Sequence, residues 1–153
     1  MNIGILGPPD GIAESRVLIT PRQAGVLDQA GVRVRVERGA GERAGFADAD
    51  YGAEGADVVS KRSDIIGESE IVLAVARPTA AEAALLVKQA ILMGLYHHDA
   101  HGLGIVEAAT ARRATVIGLE RAQVDGRYPF RERMAEVAGV VCAQLAAYLL
   151  QSR

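Results

Sequence analysis

Two short runs that are almost wholly apolar set the terms for this chain. Residues 71–76 read Ile-Val-Leu-Ala-Val-Ala, and residues 90–96 read Ala-Ile-Leu-Met-Gly-Leu-Tyr. Neither alternates polar with apolar side chains, as a strand with one wet face does. Pro78 closes the first run, and the polar sequence His97-His98-Asp99 follows the second. A strand that is apolar on both sides has to be covered on both sides. That requirement points to a mostly parallel sheet with helices packed on each face.

The rest of the chain supplies the elements such a sheet needs. Residues 2–6 read as another apolar strand, ending in the loop Gly7-Pro8-Pro9-Asp10-Gly11. Thr20-Pro21 starts a helix with a threonine cap and a proline at the first helical position; it runs to about Ala30, and Gly31 ends it. Residues 32–36 alternate valine with arginine, as a half-exposed strand does. Asp48 is expected to cap a short helix ending near Gly55, and residues 56–59 and 60–67 read as a short strand and a weak helix. Thr79 caps a helix expected to reach Val87, residues 103–113 form another, and residues 115–119 a further strand. Asp125-Gly126 marks a turn. A long final helix, about 133–151, carries the apolar stripe Met134, Val137, Val141, Leu145 and Leu149. The expectation is a single domain over residues 1–153.

Composition narrows the classes of function. A formal charge of −2 argues against a nucleic-acid or anionic-membrane partner. Aromatic residues are 4% of the chain and tryptophan is absent, so base-stacking platforms are not expected. No signal peptide is seen, no apolar run approaches the ~20 residues of a membrane span, and a cytoplasmic protein is expected. Cys142 is the only cysteine, which excludes an internal disulfide and a cysteine-rich zinc site; it reads as a small buried residue of the last helix.

Parallel strands all end on one side of the sheet, and ligands bind at that edge. The loops leaving the strands carry Arg16, Arg77 and His97, so these three side chains are expected to share a crevice. Arg16 suits bidentate binding of a carboxylate, or else pairs with Glu14 or is simply solvated. Arg77 is a second ligand contact or a plain strand-end charge. His97 is an acid or base near neutrality, or a histidine satisfied by backbone at a strand end. His98, Asp99 and His101 lie beside it. Their spacing matches no established metal-ligand pattern, and residues 97 and 98 would leave a strand on opposite sides, so no metal is expected. Gly39-Ala40-Gly41 lacks the third glycine of a dinucleotide fingerprint and reads as a turn.

In order and spacing these segments resemble the N-terminal domain of the alanine dehydrogenase and NAD(P) transhydrogenase family, more on its alanine dehydrogenase side. The resemblance rests on Arg16-Val17-x-x-Thr20-Pro21, Val36-Glu37-x-Gly39-Ala40-Gly41, Phe46-x-Asp48-x-Asp50-Tyr51 and Gly55-Ala56. It continues through Ile71-Val72-Leu73 with Pro78, His97 after its strand, residues 120–129, and Met134-x-Glu136-Val137-Ala138-Gly139. The resemblance implies a flavodoxin-like or Rossmann-like α/β domain facing a separate NAD-binding domain across a cleft. It implies that Arg16 binds the substrate carboxylate and that His97 is the catalytic residue.

Three departures from the family pattern shape the functional expectation. The chain ends at Arg153, where relatives continue into the NAD-binding domain, so it is read as a stand-alone domain without a cofactor of its own. Ala76 stands where the family has a substrate-contacting lysine, with Arg77 adjacent as a replacement charge. His98-Asp99 follows His97 where relatives have an apolar residue. The first expectation is a non-redox enzyme that holds a keto or amino acid through Arg16 and Arg77 and moves a proton with His97, helped by His98 or Asp99. The alternatives are a pseudoenzyme or metabolite-binding regulatory module, and the substrate-domain subunit of a split NAD-dependent oxidoreductase completed by a separate NAD-binding chain. Apolar residues of the last helix beyond those needed for one core face point to a homodimer.

Overall fold

A computed structural model of the protein describes residues 1–9, 11–96 and 103–151. The chain divides into two compact units, Met1–Gly118 and Leu119–Arg153. Among the described residues, the first contains six strands: β1 (Asn2–Leu6), β2 (Arg33–Glu37), β3 (Asp57–Val59), β4 (Ile71–Ala74), β5 (Ile91–Gly94) and β6 (Thr115–Gly118). Every pairing is parallel, and the order across the sheet is β3-β2-β1-β4-β5-β6. This is the doubly wound Rossmann order, not the flavodoxin order; it reverses direction between β1 and β4, where Ile3 lies beside Ile71 and Leu6 beside Ala74.

Alternation along the strands sorts side chains into two apolar layers. Ile3 and Ile5 of β1 and Leu73 of β4 enter one layer with Val34, Val36, Ala24 and Tyr51. Leu6, Val72 and Ala74 enter the other with Ile65, Ile66, Leu86, Leu92 and Ile105. The helices divide accordingly: α1 (Pro21–Gln29) and α2 (Asp48–Ala53) supply the first layer, and α3 (Arg62–Glu68), α4 (Ala80–Ala83) and α5 (Leu103–Ala111) the second. Burying both faces of the central strands is what their continuous apolar sequence requires.

Some boundaries differ from the sequence reading. The helix after Thr79 stops at Ala83, not Val87: Leu85 N–H bonds Glu82 C=O at 3.0 Å, and the tightened chain drops Leu86 into the core at 1% exposure. Thr79 is nonetheless a genuine cap. Its hydroxyl accepts the Glu82 N–H at 3.2 Å, while the Glu82 carboxylate accepts the Thr79 N–H at 2.7 Å. Asp48 is the first residue of α2 and Ala47 its cap; the Asp48 carboxylate instead accepts the Gly39 N–H at 2.8 Å.

The second unit has a tight turn and one long helix, α6 (Pro129–Gln151). Asp125 and Gly126 both have positive φ, 50° and 76°, which closes the turn under the antiparallel bridge between Val124 and Arg127. Helix α6 starts one turn earlier than its apolar stripe because Glu132 accepts the Tyr128 N–H at 3.2 Å and Arg127 at 2.6 Å. No described residue of α6 is buried, and Cys142 is exposed, contrary to its reading as a buried residue. Past its charged first turn, the 23-residue helix is long and apolar enough to cross a membrane by length and composition alone.

Candidate binding crevice

The carboxyl ends of β1, β4 and β5 open into a crevice of about 360 Å³. Ile12, Glu14 and Arg16 line it from the loop after β1, Val75, Ala76 and Arg77 from the loop after β4, and Leu95 from the exit of β5. The site therefore sits at the strand-order reversal, where open α/β sheets hold their ligands. Its volume suits a small molecule, and apolar walls with a few charges suit orientation of one polar group. Of the residues singled out in the sequence, the structure brings Arg16 and Arg77 to this one crevice, with Ala76 between β4 and Arg77. His97, His98, Asp99 and His101 lie outside the described residues.

The segment that carries Arg16 has no regular structure but is tied down at both ends. Arg43 Nη1 donates to the Ile12 carbonyl at 2.6 Å. The Tyr51 hydroxyl donates to the Ile19 carbonyl at 2.8 Å. Tyr51 is fully buried; burial first and the nearby Asp48 carboxylate second push its hydroxyl up to about 12, so it remains a donor at any ordinary pH. Beyond Ile19, the Gln23 side chain accepts the Thr20 N–H at 2.9 Å and fixes the start of α1. Sequence reasoning missed both anchors. The signal for Tyr51 was its place in the Phe46-x-Asp48-x-Asp50-Tyr51 motif; nothing marked Arg43.

Within the loop, Arg16 is paired with Glu14. Nε donates to Oε1 at 2.8 Å and Nη2 to Oε2 at 2.6 Å, and the Arg16 backbone N–H also reaches Oε1 at 2.9 Å. The hydrogen bonds from the guanidinium hold the Glu14 carboxyl down at about 2, against the opposing effect of burial, and the pair raises Arg16 in turn. Of the readings the sequence left open for Arg16, an ion pair with Glu14 is present, and the arginine still lines the crevice.

A second charged group, which sequence reasoning did not find, gathers at the ends of β1 and β2. Arg62, at the start of α3, donates to Glu82 from Nε at 2.5 Å and to Glu37 from Nη1 at 2.5 Å, and Nη1 also reaches the Gly7 carbonyl at 2.9 Å. Glu37 in turn accepts the Gly7 N–H at 2.8 Å. The three side chains are only 17–21% exposed, and they tie the ends of β1 and β2 to α3 and α4.

This arrangement bears on a dinucleotide. In sheets of this order, the turn after β1 offers backbone N–H groups to a pyrophosphate, and an acid at the end of β2 takes the ribose hydroxyls. Here Pro8 and Pro9 occupy the turn and have no N–H, while Glu37 is bound by Gly7 and Arg62. The residues of this turn do not fit a dinucleotide. Among the described residues there is no cluster of three metal-ligating side chains.

A parallel α/β domain of Rossmann order with a charged crevice at its switch point defines a broad class. The comparisons narrow it. The family described as Alanine dehydrogenase/PNT, N-terminal domain, matches residues 11–138, and the chain belongs to that family. It is 36% identical to the alanine dehydrogenase of Mycobacterium tuberculosis (strain H37Rv) over 138 residues, which is 90% of this chain and 37% of that protein. It is 32% identical to the alanine dehydrogenase of Bacillus subtilis over 149 residues, 96% of this chain and 39% of that protein. The chain thus spans well under half the length of these relatives. Among solved structures, an L-alanine dehydrogenase matches with a TM-score of 0.69 and 32% identity, covering 83% of this chain and 34% of that one. A transhydrogenase from Sinorhizobium meliloti shares the fold, with a TM-score of 0.69 over 82% of this chain and 37% of that one at 24% identity.

Proposed function

We propose that this protein binds a small keto or amino acid in the crevice at its strand-order reversal, with the ligand carboxylate on Arg16 and Arg77. The observation that carries this reading is the convergence of these two arginines, from different loops, on one small cavity. A guanidinium is suited to a planar carboxylate, and a crevice of about 360 Å³ accommodates a small acid. Membership of the family supports the assignment, since its relatives include proteins named alanine dehydrogenase. The chemistry assigned to this chain's own residues is proton transfer by His97, supported by His98 and Asp99, at the carbon next to the ligand's carbonyl or amine. The protein is proposed to be a cytoplasmic homodimer without nucleic-acid or membrane partners.

A second reading is a substrate-binding subunit that works with a separate NAD-binding chain. The poor fit of its own β1 turn to a dinucleotide favours it.

Proton exchange in deuterated buffer separates the readings. Proton NMR of pyruvate incubated with the protein is expected to show loss of the methyl signal well above the buffer rate. That loss should vanish in His97→Ala and Arg16→Ala. Exchange at the buffer rate, together with an NAD-binding protein that co-purifies, would replace the first reading by the second.

A further inference from the structure

A guanidinium offers two donor forks, one along Nε and Nη2 and one across Nη1 and Nη2. In Arg16 the first is fully used by Glu14. Among the described residues, Nη1 donates to nothing. The two side chains also differ in depth: that of Glu14 is 15% exposed and that of Arg16 is 52% exposed. A carboxylate that merely stood in for an absent ligand would lie over the arginine, more open to solvent than its partner. Glu14 is instead the less exposed of the two. Its bond to the Arg16 backbone N–H, two residues along the same loop, also fixes the carboxylate independently of the guanidinium.

Resting on the carboxylate-binding reading above, we infer that Glu14 is a positioning residue: it grips the side fork of Arg16 and leaves the end fork to receive a ligand carboxylate. The alternative is that Glu14 competes with the ligand for the same guanidinium. The two make opposite predictions. A buttress fixes the plane and rotation of a long side chain before the ligand arrives, so its loss weakens binding. A competitor occupies the donors the ligand needs, so its loss strengthens binding. Glutamine at position 14 keeps the shape but offers one acceptor oxygen and no charge, so it cannot hold both nitrogens of the fork.

The test uses the full chain, with pyruvate and L-alanine as probes in calorimetric titrations, and a parallel nitrogen-15 spectrum of the arginine Nε–H groups. In the wild type the Arg16 Nε–H should exchange slowly with water and be visible near neutral pH without any ligand. It should broaden away in Glu14→Gln. The same variant should remain folded, melting somewhat below the wild type, and bind the better probe about tenfold more weakly at a temperature where both are native. Arg16→Ala should lose at least a hundredfold, since it removes both forks. Unchanged or tighter binding by Glu14→Gln overturns the inference and makes Glu14 the competitor. A rapidly exchanging Arg16 Nε–H in the wild type overturns it whether or not a probe binds. Failure of the wild type to bind either probe, or equal binding by Arg16→Ala, overturns the carboxylate reading itself; the Nε–H exchange then decides separately whether Glu14 holds the guanidinium.

Discussion

Replacing Arg62 by leucine is expected to be the most damaging single polar substitution in the first unit. The leucine roughly keeps the apolar stem but removes the cation shared by Glu37, Glu82 and the Gly7 carbonyl. Two carboxylates, 18% and 21% exposed, are then left facing each other without it. Taking one partner from a buried ionic group costs about 3–5 kcal/mol. Each acid keeps one good donor, the Gly7 N–H for Glu37 and the Thr79 N–H for Glu82, which places the cost near the low end, about 3 kcal/mol. For a unit of this size that is a fall in melting temperature of roughly 10–15 °C.

The pH dependence gives this prediction a second edge. Burial pushes the Glu82 carboxyl up, but the Thr79 N–H and the Arg62 charge outweigh it, and the group sits below its ordinary value. A depressed carboxyl stabilises the fold above its unfolded pKa, and that contribution is lost as pH falls through the folded value. In the leucine variant burial dominates, so protonation relieves strain instead of removing a bond. Urea unfolding followed by circular dichroism should show the gap between the two proteins widest near about pH 7.5 and narrowing towards about pH 4.5. A gap below about 1 kcal/mol at the higher pH, or one that widens on acidification, would refute the reasoning.

Three further outcomes are expected. A methyl group on Gly94 would collide with the Ala74 carbonyl oxygen and lie 2.6 Å from the Tyr96 ring, so Gly94→Ala should lose about 3 kcal/mol or fail to fold, as read by thermal melting. Tyr51→Phe should cost about 1–2 kcal/mol by leaving the Ile19 carbonyl without its donor, and calorimetry should show weaker pyruvate binding because the Arg16 loop loses one anchor. Because Glu14 is held at about 2, its pair with Arg16 is intact above roughly pH 4; pyruvate affinity should owe no change between about pH 5 and 8 to Glu14, and a profile in Glu14→Gln should have the same shape as the wild type over that range.

The layering of this fold was written locally. The period of two puts Ile3 with Ile5 and Val72 with Ala74 on shared faces, and the position of Arg16 and Arg77 follows from the rule that parallel strands share one exit edge. What local sequence does not carry is long-range pairing. Nothing near Arg62 in its weak helical stretch marks it, because its partners stand 25 positions before it and 20 after. The helix after Thr79 ends early for a similar reason: Leu86 is drawn into the core formed by β4, β5 and α5, which no window around residue 86 contains. Glu14 was visible as a neighbour of Arg16, but which fork it takes depends on side-chain geometry. The Tyr51 hydroxyl and Arg43 reach backbone carbonyls, and a carbonyl partner leaves no trace in residue identity.

The two ties on the Arg16 loop have a consequence for how this crevice is inherited. Both Arg43 and Tyr51 belong to the connection between the second and third strands, which contributes no side chain to the cavity wall. Grafting the loop alone into another scaffold would carry the arginine without its brace. Residues 12–19 and 43–51 therefore form one transplantable module, and ligand preference among relatives should track changes in both stretches together.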